Sequence, residues 1–219
     1  MPAQYRPKRP HAVSNKKPAT AQASEAAPKR ASNRSKLARL IQEYYQSRCD
    51  VRLVCDPGDS PRMEESGRAI TVAEIANRHL AHQRGLGVCL VRPDNTCSFA
   101  AVDFDNKLER PDPDIKKKVR AVALHLDKVG IDYLICTSQS GRGFHLTVYF
   151  AEPVLARIAR RFLLGVCQLA GLKSPEVFPK QEQLPPDKVG NALRLPLFNK
   201  SQFVDPANLS KKIDPIQAL

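Results

Sequence analysis

The sequence predicts an α+β fold, and three observations lead to that prediction. Short apolar runs rich in β-branched and aromatic residues indicate strands, such as LGVCLVR at 86–92 and FHLTVYF at 144–150. Two longer segments indicate helices: 112–129 by its apolar spacing, and 153–171 by a Pro at its start and a Gly at its end. From residue 97 onward the elements follow one another as strand, helix, strand, strand, helix, strand.

The chain is expected to begin with a disordered basic tail. Residues 1–33 are rich in Pro, Ala, Ser, Lys and Arg and contain almost no large apolar residues. Such a segment cannot bury enough surface to offset the entropy of ordering. A helix is predicted at about 34–48, because its large apolar residues fall on one side.

The next segment, up to residue 96, completes an N-terminal α/β unit. Residues 56–69 (DPGDSPRMEESGRA) are expected to form a polar loop. Thr71 and Glu74 have the spacing of a capping box, which predicts a helix reaching about residue 83. A strand at 86–92 and a turn at 93–95 (PDN) then lead into the second part of the chain.

The second part of the chain is predicted to be a ferredoxin-like or RRM-like β-α-β-β-α-β core. Its expected elements are a strand at 97–104, a helix at 112–129, strands at 132–138 and 144–150, a helix at 153–171 and a strand at 176–178. The usual strand order is 4-1-3-2, with both helices on one face and the other face open. We therefore predict a single domain, 34–219, which consists of an α/β unit at about 34–96 and an RRM-like core at about 97–205.

The charge of the chain points to a polyanionic partner. The net charge is +13, and residues 1–36 hold nine basic residues and one acidic residue. A basic segment of this kind is attracted to nucleic acid without reading its sequence. A solubilising tail or a linker is the alternative interpretation.

Several classes of protein are not expected. No run of about 18 apolar residues predicts a membrane span, and the polar N-terminus lacks the apolar region of a secretory signal. The six cysteines form no C-x-x-C pair, so we expect no zinc site and no disulfide framework. A reducing cytoplasmic setting, with no membrane partner, is therefore predicted.

Two carboxylates stand at the end of the first core strand, in FAAVDFDNK at 99–107. Side chains alternate along a strand, so Asp103 and Asp105 share one face while Val102 and Phe104 face the helices. Carboxylates placed this close repel one another, and a divalent cation such as Mg²⁺ or Mn²⁺ would relieve that repulsion. A solvated acid pair bonded to an arginine is the alternative.

A glycine-containing segment, SGRGFH at 140–145, leads into the strand expected beside the aspartates. Ser140 offers a hydroxyl, Arg142 a guanidinium, and the glycines permit close approach of the backbone, which together suit a polyphosphate. His145 falls on the strand where it can share the open face with the two aspartates. An ordinary hairpin turn with a structural histidine is the alternative.

Three further charged residues are weaker candidates. Glu176 opens the fourth core strand and could be a third metal ligand, or simply an exposed acid. Lys180 follows it in EVFPKQ. Arg194 lies between two leucines in NALRLP, and a cation in an apolar strand needs an anionic partner, either a phosphate or one of these acids.

Together these stretches resemble the archaeo-eukaryotic primase superfamily, and most closely the primase domains of TOTE conflict systems and mobile-element replication proteins. The resemblance rests on VDFD, on SGRGFHL and on EVFPKQ in that order, and NALRLPL and VRPDNTCSFAAVDFDN strengthen it. It covers about residues 70–200. The family core is an RRM-like unit beside an N-terminal α/β unit.

The resemblance implies a nucleotidyltransferase that makes or extends primers on a single-stranded DNA template. Asp103, Asp105 and Glu176 would hold two Mg²⁺ or Mn²⁺ ions. One ion would lower the pKa of the attacking 3′-hydroxyl, and the other would stabilise the pyrophosphate leaving group. The triphosphate of a dNTP or NTP would contact Ser140, Arg142 and His145, with Lys180 and Arg194 as further contacts. A helicase or priming domain in trans is a possible partner.

Three departures from the family pattern bear on priming more than on nucleotidyl transfer. The chain stops near residue 219, whereas many relatives continue into a helicase or a helical priming domain. The Cys-rich zinc element that some relatives carry before the first motif is not matched, because Cys49 and Cys55 form no C-x-x-C. The third motif has Glu176 where many relatives have Asp.

Two other functions are weighed against nucleotidyl transfer. A non-catalytic single-strand-binding module would need stacking aromatics on the open face, where acids and a histidine are expected instead. A metal-dependent nuclease would use the same acids, but no separated acid and E-x-K arrangement follows them.

Overall fold

The structure is a computed structural model that describes residues 21–45, 47–105 and 112–219, with side chains described from residue 32 onward. The predicted tail falls outside the described residues from 1 to 20. The first helix, α1, spans Ala21–Tyr44. From Ala21 onward, α1 overlaps the segment 1–33 that was predicted to be disordered.

The chain divides into residues 1–33 and the unit Arg34–Leu219, which contains two antiparallel four-stranded sheets. The first sheet has the strand order β2-β1-β3-β8. Its strands are β1 (Val51–Cys55), β2 (Arg62–Glu65), β3 (Gly85–Cys89) and β8 (Ala192–Arg194). A short helix, α2 (Val72–Glu74), continues into a π-helical turn over Ile75–His79 before β3.

The second sheet has the strand order β5-β6-β4-β7. Its strands are β4 (Thr96–Phe104), β5 (Tyr133–Thr137), β6 (Phe144–Leu155) and β7 (Glu176–Phe178). Helix α3 (Ile115–Lys128) follows β4, helix α4 (Ala156–Leu169) follows β6, and a final short helix, α5, spans Pro215–Ala218. The predicted element order and the predicted 4-1-3-2 strand order are both confirmed.

Two local predictions were wrong. The stretch predicted as a polar loop contains β2, whose side chains are largely exposed because it is an edge strand. Strand β6 extends through Leu155, so Pro153 lies in the strand and α4 begins at Ala156. A proline is tolerated there because the pairing of β4 with β6 is irregular between Cys97 and Phe99.

The predicted capping box is confirmed, although its helix ends early. The Thr71 hydroxyl accepts from Glu74 N at 3.2 Å, and Glu74 accepts from Thr71 N at 2.9 Å. The helix ends at His79, whose fully buried ring lies between two backbone groups. Its Nδ1 accepts from Leu86 N at 3.0 Å, and its Nε2 donates to the carbonyl of Pro196 at 2.7 Å.

The apolar core lies on both sides of the second sheet. Val102 and Phe104 are buried toward α3 and α4, as predicted. The opposite face was expected to be open, but Tyr44 at the end of α1 and Tyr45 after it pack against part of it, with the Tyr44 ring 5.1 Å from that of Tyr149. The ring of Tyr45 lies 5.2 Å from that of Phe99 and 5.7 Å from that of Tyr149, centroid to centroid.

Strand β8 connects the two parts that the sequence analysis separated at residue 96. It pairs with β3, and Gly87 lies opposite Arg194 in that pairing. The first sheet therefore draws a strand from the predicted core, so that a division at 96 does not match the strand pairing. None of the described helices is long and apolar enough to cross a membrane.

Candidate functional site

A row of polar side chains crosses three strands of the second sheet. Asp103 on β4 lies directly opposite Glu176 on β7 and directly opposite His145 on β6. Directly opposed residues of antiparallel strands project to the same face. The sheet therefore brings together three residues that lie between positions 103 and 176 of the sequence.

The aspartates and their neighbours line a cleft of about 530 Å³ between the two sheets, which we call the carboxylate cleft. Six of the eight candidate residues contribute to it: Asp103, Asp105, Ser140, Arg142, His145 and Arg194. The first sheet contributes Arg194 through β8, so the cleft depends on the contact between the two sheets.

The aspartates are placed as the strand pattern predicts. Asp103 lies near the end of β4 with its side chain 18% exposed, and Asp105 follows the strand and is exposed. The neighbouring residues Val102 and Phe104 are buried and face the helices instead. An apolar strand thus holds two carboxylates at the edge of the core, where one is partly withdrawn from water.

His145 contacts Asp103 through Nε2, which lies 3.4 Å from Asp103 Oδ1. The pKa of His145 is lowered from 6.5 to about 4, mainly by burial and also by the charge of Arg194, while the charges of Asp105 and Glu176 act in the opposite direction. The imidazole is therefore neutral at physiological pH. It can offer a hydrogen bond in the cleft but no positive charge.

The loop over residues 138–143 is held by its own hydrogen bonds. The hydroxyl of Ser138 accepts from Gly143 N at 3.0 Å and lies 3.0 Å from the hydroxyl of Ser140. Ser140 in turn accepts from Arg142 N at 3.3 Å. These backbone N–H groups are used within the loop, so a phosphate would be met here mainly by side chains.

Gly143 is required by the strand next to it. A Cβ at this position would lie 2.5 Å from the carbonyl oxygen of Phe104, which no larger residue could avoid without a shift of the backbone. The close approach of Gly143 is to β4, immediately before Asp105, whereas the sequence analysis had related it to a polyphosphate. Gly141 has φ of +74°, a left-handed conformation that favours glycine.

Two guanidinium groups supply the positive charge of the carboxylate cleft. Arg142 comes from the exposed loop, and Arg194 comes from β8 across the cleft. Among the described residues, neither side chain forms a salt bridge or a hydrogen bond. Both groups are therefore available to an anion that enters the cleft.

Glu176 and Lys180 form a pair of their own at the edge of β7. Lys180 Nζ lies 2.6 Å from Glu176 Oε1 and 5.0 Å from the centre of the Phe178 ring. Glu176 borders a neighbouring depression on the α3 side, which Asp103 and Asp105 also line. Lys180 lines neither space, so the structure does not bring it into the cleft with the other candidates.

The donor atoms suit a hard divalent cation, although their positions are not those of a finished site. Asp103, Asp105 and Glu176 offer the carboxylate oxygens that Mg²⁺ and Mn²⁺ prefer. In the part of the chain that the structure describes, no three His, Cys, Asp or Glu side chains are already grouped as a metal site. Residues of the right kind are present in one place, and completing the set would require Glu176 to turn away from Lys180.

The cleft also contains residues that the sequence analysis did not single out. Leu53, Ala192 and Leu193 form its apolar wall on the first sheet. Gln139 lines it as well, and its buried Nε2 has no hydrogen-bond partner among the described residues. The position of Gln139 beside Ser140 was a signal for it, whereas no sequence pattern indicated that Leu53 lies near the aspartates.

Comparison with known proteins assigns the family. The family model described as TOTE conflict system, Archaeo-Eukaryotic Primase domain matches residues 42–219. This match is wider than the 70–200 covered by the motifs, and it includes every candidate residue. No curated protein matches the chain. The chain belongs to the archaeo-eukaryotic primase domain family of TOTE conflict systems.

Proposed function

We propose that this chain is a primase-polymerase catalytic domain that joins nucleotides on a single-stranded DNA template. One observation carries the proposal: two carboxylates at the end of β4 share a cleft with two guanidinium groups that have no salt bridge among the described residues. Nucleotidyl transfer needs both kinds of group, because it brings metal ions and a triphosphate together at one point. Membership of the primase family supports the same chemistry.

The carboxylate side of the cleft would hold the metal ions. Asp103 and Asp105 would be the principal ligands, and Glu176 would be the third. Bound Mg²⁺ or Mn²⁺ supplies Lewis acidity to the attacking hydroxyl and to the leaving phosphate. The chain contributes the geometry, since β4 holds the two aspartates at the edge of a rigid sheet.

The opposite side of the cleft would bind the triphosphate of a dNTP or NTP. Arg142 and Arg194 would contact phosphate oxygens in the bidentate manner that guanidinium allows. His145, being neutral, would donate a hydrogen bond or orient Asp103 through its 3.4 Å contact. Ser140 would act mainly by shaping the loop, and Lys180 would contribute only after release from Glu176.

Other parts of the function belong to the same proposal. The β-α-β-β-α-β order and the strand order β5-β6-β4-β7 support an RRM-like core. The excess of positive charge supports binding of the template and primer through their phosphates. Residues 1–33 would add to that attraction, and a helicase or priming domain in trans would complete initiation.

The test is extension of a labelled primer on a single-stranded template. Wild-type protein is assayed with Mg²⁺ or Mn²⁺ and with dNTPs or NTPs in separate reactions, beside Asp103→Ala and Asp105→Ala. Wild type is expected to lengthen the primer, and each variant is expected to lose at least about 100-fold in rate. Binding of the template should stay nearly unchanged in both variants.

The other outcomes separate the alternatives. A primer that becomes shorter would indicate a nuclease, and bound template without any product would indicate a binding module. Near-normal synthesis by either aspartate variant would refute the assignment of the metal ligands.

A further inference from the structure

A second cleft lies beside the C-terminal part of α1 and has a volume of about 590 Å³. It shares no lining residue with the carboxylate cleft. Its floor is apolar and includes the buried residues Ile41 and Ile75. Its rim carries the guanidinium groups of Arg39, Arg48 and Arg92, after which we call it the arginine cleft.

Arg92 lies near the carboxylate of Asp94 but forms no salt bridge with any described residue. Its Nη2 donates to the hydroxyl of Ser98 at 2.6 Å. Its Nη1 is buried and has no hydrogen-bond partner, and among the described residues no carboxylate forms a salt bridge with it. A buried donor without an acceptor destabilises the folded chain, and more so when it is charged. An acceptor that enters from the cleft would remove that cost.

The other two arginines differ from one another. Arg48 is a fixed part of the wall, because it donates to both carboxylate oxygens of Asp50 at 2.6 Å and to the carbonyl of Lys188 at 3.0 Å. Arg39 is exposed, and no hydrogen bond or salt bridge within the described residues engages it. Among the described lining residues Glu43 is the only carboxylate, so the cleft has an excess of positive charge.

The combination of groups selects a class of ligand. Guanidinium groups match the oxygens of a phosphate, and they hold it best where water is partly excluded. The apolar floor offers surface to a flat ring that is attached to that phosphate. A nucleotide has both parts, either free or as a unit of a strand. The choice of a nucleotide among organic phosphates rests on the proposed function, whereas the anion site itself does not.

We propose that the arginine cleft binds the phosphate of a nucleotide, with Arg92 and Arg39 as the anion-binding groups. Arg92 lies at the inner end of the interaction, with a donor that lacks an acceptor, and Arg39 lies at the exposed rim. The nucleotide is held away from Asp103 and Asp105, so this is a binding position and not a reacting one.

The experiment compares Arg92→Gln and Arg39→Gln with wild type by calorimetric titration of the full chain. The probes are inorganic phosphate, a nucleoside monophosphate and a short oligothymidylate, all in the presence of EDTA so that metal-dependent binding at the carboxylate cleft is silent. Arg78→Gln is the matched control, because Arg78 is exposed, lies outside the cleft and carries the same charge. Circular dichroism checks that each variant is folded. Arg39→Gln serves as a second variant if Arg92→Gln is unstable, because Arg39 is exposed and its substitution should not disturb folding.

Each cleft variant is expected to weaken nucleotide binding about tenfold, while the control changes it by less than about twofold. A loss with both the monophosphate and the oligothymidylate means that a free nucleotide suffices, and a loss with the oligothymidylate alone identifies a strand. Unchanged binding of both probes, or an effect confined to inorganic phosphate, would overturn the proposal. Primer extension is scored separately: a wild type that fails to extend but keeps Arg92-dependent binding refutes the proposed function and leaves this site standing.

Discussion

The charged residues of the first sheet and those of the carboxylate cleft are treated by the fold in opposite ways. In the first sheet Arg52 is 11% exposed and forms salt bridges with both Glu64 and Glu74, the latter at 2.7 Å. In the cleft Arg142 and Arg194 have no such partner among the described residues. The same residue type thus forms salt bridges inside the protein in one place and forms none with the described residues in the other.

Pairing within the fold is the criterion that separates structural charges from candidate functional charges. A guanidinium that is fully paired within the fold contributes to stability and specificity, and little to binding. A guanidinium that lines a cleft without a salt bridge is available to a ligand. Variants in the first sheet should therefore change stability, whereas variants in the cleft should change binding and chemistry.

The largest expected effect is on the rate of primer extension, when one carboxylate is neutralised in each of the two regions. On the proposed function, Asp105→Asn should lower the rate of primer extension by at least about 100-fold, because it would remove a charge proposed to hold the metal ions. Glu64→Gln removes a charge of equal sign from the first sheet and should leave the rate within about twofold. Steady-state extension rates at saturating nucleotide measure both, and an equal loss in the two variants would break the comparison.

His79 gives the next effect, which concerns stability and pH. Burial lowers its pKa from 6.5 to about 4, so the unfolded chain binds a proton between these values that the folded chain does not. Stability is complete above pH 6.5 and falls as the pH drops toward 4, by about 3 kcal/mol for this group.

Urea unfolding across this pH range measures the effect, with His79→Gln as the comparison. His145 has a similarly lowered pKa and adds its own loss, so the variant should retain only part of the pH dependence of the wild type. A variant as pH-dependent as the wild type would show that His79 is not the buried group responsible.

Arg52→Gln should be a stability variant with normal binding. It leaves Glu64 and Glu74 without their shared partner in a largely buried position, at a cost of about 2 kcal/mol. Urea unfolding gives the change in the free energy of unfolding, and titration with a nucleotide gives the affinity. A weakened affinity with unchanged stability would reverse the assignment of the two regions.

Arg194→Gln should give the smallest effect. In contrast to Arg52→Gln, it should change binding and not stability. Nucleotide affinity should fall about tenfold, because one charged contact to phosphate is lost. The pKa of His145 should rise, since the charge of Arg194 helps to lower it. Titration of the His145 ring by NMR reports the second change, and a pKa that stays the same would place the two side chains farther apart than the cleft requires.

The sequence predicted the second sheet well because its signals are local. The apolar run of β4 and the helical spacing of α3 each require only neighbouring residues, and both elements are present. The capping box at Thr71 is equally local and is confirmed. The extent of β6 was missed because the residues around Pro153 are held in a strand by β4, which lies far away in the sequence.

The candidate site was predictable to the same degree. The alternation along β4 placed Asp103 and Asp105 on one face, and the glycine-containing loop pointed to Arg142 and His145. The pairing of Glu176 with Lys180 could not be foreseen, because it depends on side-chain positions beyond the end of a three-residue strand. The unpartnered donors of Gln139 and Arg92 were equally invisible, since burial of a single atom is a property of packing.

By itself the sequence determined the order of the core elements, the position of the two aspartates and the family to which the chain belongs. These follow from periodicity and from short motifs, which are written in consecutive residues. Only the tertiary structure decided that β8 returns to the first sheet and carries Arg194 to the opposite wall of the cleft. It alone decided that Tyr44 and Tyr45, at and just after the end of α1, pack on Tyr149 on the face predicted to be open, because such contacts depend on which distant surfaces can bury one another.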